Sequence, residues 1–423
     1  MLDLKSIRED PEAARQALAR RGEAEALDEV LRLHERWRGL LPEIEEGRAR
    51  QNRASDEIGA AQREGGDAQP LIDEMRELAA GLKKLEAELA EVEAKRDEAA
   101  RALPNLPHPD APEGETDEDA VELRQVGERP VFDFEPQDHL DLGRAHGLID
   151  TERAARTSGT RFAYLLGDLV LVELALVRYA IGLLAEEGFV PVAPPVMVRE
   201  EALYGTGFLP GERETIYEVP RDELFLVGTS EVSLAAMHAD EILEPGALPL
   251  RYVGYSTCFR REAGAGGRDT RGIFRVHQFD KVEMFSFVEP GESEAEHERL
   301  LALQERILGE LELPYRVVDI PVGELGASAT RKFDCEAWIP SQDRYREVTS
   351  TSNTTDYQAR RLGCRYRPAA EGELLHPHTL NGTAVAVGRT LIAIMENRQD
   401  SGGRISVPAV LHDHGAPASL PST

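Results

Sequence analysis

The feature that most constrains this chain is an apolar seam near its amino-terminal end. Seven apolar residues recur at alternating spacings of four and three positions: Leu71, Met75, Leu78, Leu82, Leu85, Leu89 and Val92. This is the a/d pattern of a coiled coil, held for three heptads. The pattern predicts a long helix whose apolar stripe packs against another helix.

The run before the seam has compatible spacing and supplies the partner helix. Its apolar residues are Leu27, Val30, Trp37, Leu41, Ile44 and Ile58. Between the runs lies REGGDAQP, residues 63–70, whose glycines and proline are typical of a turn. We therefore predict an antiparallel helical hairpin, an arm over residues 27–101, within an amino-terminal domain of residues 1–103. Pro42 removes a helix hydrogen bond, so we expect it to kink or interrupt the first helix.

A two-helix hairpin has too little core to be a domain by itself, so its role is expected to be contact with another molecule. The apolar pattern leaves two interpretations open. The hairpin is either a coiled coil that dimerises the protein or an arm that holds a separate partner.

Composition narrows the class of protein. The formal net charge is -29, which ordinarily argues against nucleic-acid binding but does not exclude a large RNA that touches only a local patch. The three cysteines, Cys258, Cys335 and Cys364, offer neither a disulfide framework nor zinc spacing. No run of about 18 apolar residues is present, and the acidic start lacks the apolar core of a signal peptide. We expect a cytoplasmic protein with no membrane association.

The rest of the chain divides into three parts. Prolines and acidic residues in LPNLPHPDAPEGETDEDA predict a linker over residues 104–130. A second folded domain is predicted over residues 131–412, with a helix in 168–188 and a proline-punctuated strand after it. Because its strands follow one another directly, the fold class is expected to be α+β with an antiparallel sheet. Residues 413–423 are expected to form a flexible tail.

A strand predicted over residues 274–287 concentrates unusual chemistry on one face. Alternation places Arg275, His277, Phe279, Lys281 and Glu283 on that face. In the preceding run, Arg260 and Glu262 also share a face. A guanidinium fork matches a phosphate, a ring stacks on a base and carboxylates receive an amine, so this set suits a nucleotide plus an amino acid. Taken alone, the same composition also suits a solvent-facing strand with cross-strand ion pairs.

Two later segments favour the ligand-binding interpretation. YREVTSTSN, residues 345–353, supplies Glu347 and Ser350, the oxygen ligands that magnesium takes beside phosphates. The run from Thr379 to Gln399 enters an amphipathic helix whose first turn holds Gly388 and Arg389, a good place for a terminal phosphate. Neither a Walker sequence nor a strand-linked GxGxxG appears, so P-loop and Rossmann sites are not predicted.

Over nearly its whole length the chain resembles bacterial-type seryl-tRNA synthetases, which are class II aminoacyl-tRNA synthetases. CFRREAG and GRDTRGIFRVHQFDKVEMF are similar to the second signature motif of that class in its seryl form. LNGTAVAVGRTLIAIMEN resembles the third motif, and residues 180–195 resemble the first, which builds the family's dimer interface. GTSEV, residues 228–232, resembles the serine-binding element, and the helical hairpin resembles the arm that grips serine tRNA.

The resemblance implies a fold and a set of roles. The fold is an antiparallel class II catalytic domain preceded by a long helical arm. Arg260 and Arg389 would be catalytic, with Arg260 at the α-phosphate and the serine carboxylate, and Arg389 near the γ-phosphate. Phe279 would stack on adenine. The implied ATP site comprises Arg260, Arg261, Glu262, Val276, Phe279, Glu347, Val348, Thr349, Ser350 and Arg389.

The remaining implied residues bind metal and serine. Glu347 and Ser350 would ligate Mg²⁺. The serine ammonium and hydroxyl would be received by Thr229, Glu231 and Glu283, in a pocket implied to comprise Thr229, Ser230, Glu231, Glu283, Asn381 and Thr383. No catalytic base is required, because the serine carboxylate is already the nucleophile.

The implied activity is serine–tRNA ligase. ATP and L-serine would give seryl-adenylate, and serine would then move to the 3′ end of serine tRNA, or of selenocysteine tRNA where one exists. The enzyme would be a homodimer. Two alternative functions compete with this one. An amino acid ligase for a carrier protein would not need the arm, and a non-catalytic RNA-binding paralogue would be expected to lose Arg260, Glu283 or Arg389, which are all present.

Overall fold

The computed structural model describes residues 2–263, 269–369 and 372–422. The chain divides into two compact units, Leu2–Leu103 and the residues from Pro104 onward. In the described ranges, no helix combines the length and the apolarity needed to cross a membrane.

The amino-terminal unit is made of four helices: α1 (Leu4–Glu9), α2 (Pro11–Ala19), α3 (Ala24–Arg63) and α4 (Gln69–Ala102). At the start of α2, the Asp10 side chain accepts a hydrogen bond from the amide of Ala13, and Pro11 occupies the first helical position. The 40 residues of α3 and the 34 of α4 form a hairpin about 50 Å long.

The hairpin is antiparallel, as predicted. Ion pairs cross from α3 to α4. Arg36 Nη2 lies 2.5 Å from Glu88 Oε1, and Arg48 Nη2 lies 2.7 Å from Glu86 Oε1. Gly47 lets the helices approach closely, because a Cβ atom there would lie 2.6 Å from Cδ2 of Leu82. The seam residues of α4 are buried or half-buried. On α3 the buried set also includes two leucines that the spacing argument passed over, Leu33 and Leu40.

The interruption expected at Pro42 is not found, because α3 runs through it without a break. Pro42 is exposed, whereas Leu40 and Ile44 on either side of it are buried. A proline removes one backbone hydrogen bond, and the packing of the apolar stripe on both sides keeps the helix continuous.

The second unit contains all the strands: β1 (Val121–Val126), β2 (Ile149–Asp150), β3 (Tyr164–Leu165), β4 (Val190–Val192), β5 (Met197–Val198), β6 (Tyr217–Val219), β7 (Leu224–Leu226), β8 (Ile242–Leu243), β9 (Leu250–Phe259), β10 (Gln278–Val288), β11 (Tyr315–Asp319), β12 (Arg331–Ile339), β13 (Arg344–Asn353), β14 (Arg365–Tyr366), β15 (His378–Ala386), β16 (Ile405–Ser406) and β17 (Ser419–Leu420). Eight of them form the main sheet, in the order β1-β11-β12-β13-β15-β10-β9-β4. Every neighbouring pair is antiparallel except β4 and β9, which confirms the predicted fold class.

The helices of this unit are α5 (His139–Ala145), α6 (Thr151–Ser158), α7 (Asp168–Glu186), α8 (Glu200–Thr206), α9 (Glu231–Ala236), α10 (Ser293–Glu310), α11 (Tyr357–Arg361) and α12 (Val387–Asn397). The largest core cluster joins α7, α10 and α12 to the main sheet, through buried residues such as Leu176, Ile307, Ile394 and Val282. Burial of this apolar surface is what holds the helices against the strands.

The predicted linker is wrong for much of residues 104–130. Val121–Val126 is the edge strand of the main sheet and pairs with β11. Upstream, the side chain of Asn105 donates hydrogen bonds to the carbonyl oxygens of Ser328 and Thr354, both at 2.9 Å. The prolines and acidic residues that suggested a linker therefore belong to a segment fixed by backbone pairing and buried polar contacts.

The predicted flexible tail is also wrong over its described residues. Ser419–Leu420 pairs with Ile405–Ser406 as a short antiparallel ladder, and Leu420 is fully buried. The Ser422 hydroxyl donates to Asp168 at 2.6 Å. One apolar side chain and a few hydrogen bonds order a segment that polar composition predicted to be mobile. Thr423 lies outside the described residues.

Candidate active site

A cavity of about 320 Å³ lies over β10, β12, β13 and β15 and the first turn of α12. Most of the site residues implied by the resemblance line it together: Thr229, Glu231, Arg260, Glu262, Val276, Phe279, Glu283, Glu347, Val348, Ser350, Asn381, Thr383 and Arg389. The structure thus brings residues from distant parts of the sequence into one continuous space.

Three implied residues do not line this cavity. Ser230 and Thr349 are buried. Arg261 is exposed and lies over the ring of Tyr217, with its Cζ atom 5.8 Å from the ring centroid. Strand β9 ends at Phe259, so the alternation that would have directed the next side chains no longer applies.

The strand predicted over residues 274–287 begins later, at Gln278, and ends at Val288. Within it the predicted alternation holds, and Phe279, Lys281 and Glu283 all line the cavity. Arg275 and Val276 reach the same cavity from the irregular segment before the strand. Their positions therefore do not follow from strand alternation.

The cavity has its floor where two strands separate. Strand β13 pairs with β15 only through Thr351, Ser352 and Asn353. Glu347 and Ser350 on β13, and Thr383 and Ala386 on β15, flank the unpaired gap and line the cavity. A sheet closed over its full length would have no such gap between these side chains.

Gln304 of α10 bridges the two strands where they separate, at the fork between β13 and β15. Its Nε2 atom donates to the carbonyl oxygen of Ser350 at 2.8 Å and to that of Thr383 at 2.9 Å. Gln304 is fully buried. One side chain thereby satisfies two backbone acceptors that the separation of the strands leaves without a cross-strand partner.

Arginines and aromatic rings form one end of the cavity. The Cζ atom of Arg260 lies 5.4 Å from the ring centroid of Phe279. The Cζ atoms of Arg346 and Arg389 lie 3.9 Å and 4.7 Å from the centroid of the Phe274 ring, so the ring packs against two guanidinium groups. Strand alternation would place Phe274 on the face opposite Arg275 and Phe279, so its position beside Arg389 was not predicted. This end of the cavity suits a planar base and anionic phosphates.

Two acidic residues are already paired with arginines at this end. Glu262 Oε2 lies 2.6 Å from Nη1 of Arg275. Glu262 also has a positive φ of 51°, a backbone conformation that residues other than glycine rarely adopt. Glu347 Oε2 lies 3.3 Å from Nη1 of Arg389, and its side chain is 44% exposed. Partial burial would raise the pKa of Glu347, but the charges of Arg389 and Lys332 outweigh it and lower this pKa to about 2.

The other end of the cavity is built on two buried carboxylates. Glu231 Oε1 accepts hydrogen bonds from Nε2 of Gln358 at 2.8 Å and from Nδ2 of Asn381 at 3.0 Å. Glu283 Oε2 accepts one from Thr383 Oγ1 at 3.1 Å. Burial and the neighbouring charge of Glu283 raise the pKa of Glu231 to about 7. Carboxylates, an amide and a hydroxyl converge here on a space that suits a small amino acid.

Lysines inside the site were missed as functional residues. Lys281 Nζ lies 2.6 Å from Glu283 Oε2 and 2.7 Å from Thr229 Oγ1. Lys332 also lines the cavity, and its Nζ lies 3.1 Å from Asp334 Oδ2. Strand alternation had placed Lys281 on the same face as Glu283, and this was the available signal.

Comparison with family models agrees with the two units. The model of the seryl-tRNA synthetase N-terminal domain matches residues 1–107. The model of the class II tRNA synthetase core domain for glycine, histidine, proline, serine and threonine matches residues 216–398.

Full-length relatives narrow the family further. The chain is 51% identical to the serine–tRNA ligase of Acidothermus cellulolyticus over 98% of both chains, and 48% identical to that of Rubrobacter xylanophilus over 97% of both. Among solved structures it is similar to seryl-tRNA synthetase from Pyrococcus horikoshii complexed with ATP, with a TM-score of 0.95, 41% identity and 100% coverage of both chains. The cytoplasmic serine–tRNA ligase of Naegleria fowleri with AMP gives a TM-score of 0.90 and 32% identity, over 99% of this chain and 98% of that one. The chain belongs to the seryl-tRNA synthetase family of class II aminoacyl-tRNA synthetases and is a serine–tRNA ligase.

Proposed function

We propose that the described cavity is where both half-reactions of serine–tRNA ligation take place. The observation that carries this proposal is the joining of two chemically different ends in one space. One end has guanidinium groups and aromatic rings, and the other has two buried carboxylates. The reacting atoms would meet between them, near Arg260.

ATP would occupy the arginine end. Phe279 would stack on the adenine, and Val276 would offer backbone contacts to it. Arg389 would bind the γ-phosphate, and Arg260 the α-phosphate together with the serine carboxylate. Glu262 and Val348 complete the wall of this part of the cavity.

Mg²⁺ would be held by Glu347 and Ser350, which line the cavity beside Arg389. The fit rests on donor chemistry, since the low pKa of Glu347 keeps its carboxylate ionised and its side chain is partly exposed. Oxygen ligands of this kind suit magnesium beside phosphates. When bound there, the ion would neutralise part of the phosphate charge.

L-serine would occupy the carboxylate end, in contact with Thr229, Glu231, Glu283, Asn381 and Thr383. Its carboxylate oxygen would attack the α-phosphorus of ATP, forming seryl-adenylate and releasing pyrophosphate. In the second step, a terminal ribose hydroxyl of the tRNA would attack the acyl carbon and release AMP. The protein contributes position and positive charge at the α-phosphate, and no side chain has to act as a base in the first step.

The assembly we propose is a homodimer formed around α7 and β4. On α7 the side chains of Leu171 and Leu174 are 46% and 54% exposed, and on β4 that of Val190 is 56% exposed. Apolar side chains grouped on a helix and a sheet edge are typical of a protein interface. A second copy of the chain is the partner that the resemblance of residues 180–195 to the first class II motif supports.

The arm is proposed to hold serine tRNA. The match of residues 1–107 to the seryl-tRNA synthetase N-terminal model supports this proposal.

We also propose that the enzyme works in the cytoplasm. The three cysteines are free and buried, which suits a reducing compartment.

The first prediction tests the arginine end of the cavity. Arg260→Ala should lower kcat/KM in serine-dependent ATP–pyrophosphate exchange about 100-fold or more, because a charge-assisted contact to the reacting phosphate is lost. Arg260→Lys should recover little, since an ammonium lacks the guanidinium fork. Arg251→Ala removes a guanidinium from β9 outside the cavity and should leave exchange close to wild type. Near-normal exchange by Arg260→Ala would refute the placement of ATP.

A further inference from the structure

We infer that Lys281 is a positioning residue of the serine pocket with two effects. Its ammonium allows the carboxylates of Glu231 and Glu283 to be ionised side by side. It also fixes the hydroxyl of Thr229 as a hydrogen-bond donor toward the substrate. This inference rests on the proposed assignment of Thr229, Glu231 and Glu283 to serine, and adds a residue that the resemblance did not assign.

The position of Lys281 is closely defined. It lies on β10 two residues before Glu283, so both side chains lie on the cavity face of the strand. The side chain is 7% exposed, and Nζ contacts Glu283 Oε2 at 2.6 Å and Thr229 Oγ1 at 2.7 Å. A buried ammonium persists only where such partners compensate for the loss of water.

The pocket needs this cation because it contains two neighbouring carboxylates. Without a compensating charge, one of two close carboxyl groups retains a proton. Even with Lys281 present, burial and the charge of Glu283 raise the pKa of Glu231. Among the described residues, the other titratable or charged groups that act on this cluster are Glu212, Cys258 and Arg260. Loss of the Lys281 charge should raise the pKa of Glu231 further, because the lysine charge opposes the effect of burial.

The hydroxyl of Thr229 has both acceptor positions occupied. Its Oγ1 atom accepts from Lys281 Nζ at 2.7 Å and from the backbone amide of Glu231 at 3.2 Å. A hydroxyl has two acceptor lone pairs and one hydrogen, so that hydrogen remains to be donated. Thr229 therefore offers a donor to a substrate oxygen and has no acceptor position left for the substrate ammonium.

The ammonium is left to the carboxylates. In the described part of the chain, Oε2 of Glu231 and Oε1 of Glu283 accept no hydrogen bond from protein. These two oxygens can both accept from the substrate only when both carboxyl groups are ionised. The charge of Lys281 thus favours serine binding through its effect on two other side chains.

The test is the pH dependence of the KM for serine in ATP–pyrophosphate exchange. Lys281→Met should raise this KM about tenfold at pH 7, because one carboxyl group stays protonated. At pH 9 the excess over wild type should fall below about threefold, because the second carboxyl group then ionises. Lys281→Gln keeps a donor for Thr229 without the charge, so it should show the same pH-dependent defect, and it replaces Lys281→Met if that variant does not fold.

The control is Arg251→Met, which removes the cation of another ion pair, the one that Arg251 forms with Glu296 at 2.6 Å outside the cavity. It should change stability without changing the pH profile of the KM. A KM ratio to wild type that stays at one, or stays raised equally at every pH, would overturn the role of Lys281. Glu283→Gln separates the two proposals: an unchanged KM for serine in that variant would refute the serine pocket itself.

Discussion

At the scale of single residues, Glu231 is a carboxyl group of the cavity whose charge changes near neutral pH. An ordinary glutamate ionises at about pH 4.3, far below the working range of most enzymes. Burial and the charge of Glu283 raise the pKa of Glu231 to about 7. The proposed substrate carries a cationic ammonium, so its binding should depend on the ionised form.

We predict that the wild-type KM for serine falls several-fold as pH rises from 6 to 8. The sign follows from the raised pKa, because Glu231 is protonated and neutral below about pH 7 and anionic above it. The measurement is serine-dependent pyrophosphate exchange at saturating ATP across this range. Glu231→Gln should have a higher KM that no longer varies with pH there. A flat wild-type profile would show that Glu231 does not titrate in this range.

The residues of the site differ in how far the sequence could predict them. Phe279 and Glu283 were placed correctly on one face because strand alternation is a local rule. The contact of Lys281 with Thr229 joins positions 52 residues apart, and no local pattern records it. The packing of Phe274 against Arg346 and Arg389 was not predicted for a related reason, since Phe274 lies in an irregular segment just before the strand.

At the scale of elements, the fork between β13 and β15 positions both ends of the cavity. Gln304 binds the carbonyl oxygens of Ser350 and Thr383, one on each strand. Ser350 belongs to the proposed magnesium site and Thr383 to the proposed serine pocket. A single side chain on α10 therefore sets the spacing between two binding functions.

We predict that Gln304→Leu weakens ATP and serine binding together. Loss of the amide leaves two buried carbonyl groups unpaired, at a cost of about 1–3 kcal/mol each, and frees the strands to shift. The Tm should fall, and the KM values for ATP and serine should both rise. His297→Leu is the matched control, because His297 on the same helix contacts the carbonyl of Thr351, where the strands are paired. A Gln304→Leu enzyme with lower Tm but unchanged KM values would reduce Gln304 to a stability role.

Elements were predictable where their signal was local. The hairpin follows from a heptad repeat that is complete within α4. Strand β1 was mistaken for linker because its pairing partner, β11, lies almost two hundred residues later, and because all six of its residues are exposed. Strand β17 was not predicted, because Leu420 is the residue that distinguishes its sequence from a polar tail.

At the scale of the whole molecule, the division into two units matches the proposed division of labour between tRNA binding and catalysis. The arm buries its seam within the hairpin, and the described residues that line the cavity all belong to the second unit. Exposed basic residues are available on the arm to meet tRNA phosphates, among them Arg53, Lys83 and Lys84.

We predict that replacing residues 27–101 by a short Gly/Ser turn leaves ATP–pyrophosphate exchange largely intact and abolishes efficient tRNA charging. Activation needs only the cavity, whereas transfer needs the tRNA to be held. The comparison is exchange and charging measured on the same preparation, with the full-length enzyme as reference. Size-exclusion chromatography should still show a dimer, because the proposed interface lies on α7 and β4. Unchanged charging by the shortened protein would favour the rival interpretation of the hairpin as a structural coiled coil.

Because of the heptad seam, the length of the hairpin can change in steps of one heptad. Seven residues added to both α3 and α4 would lengthen it by about 10 Å while preserving which side chains meet across the seam. An insertion of one or two residues would instead rotate the apolar stripe out of contact, since each residue turns the helix by about 100°. The distance that the hairpin spans can therefore change in whole steps without any change in the chemistry of the cavity. We therefore expect the length of the hairpin and the rate of serine activation to be separately adjustable.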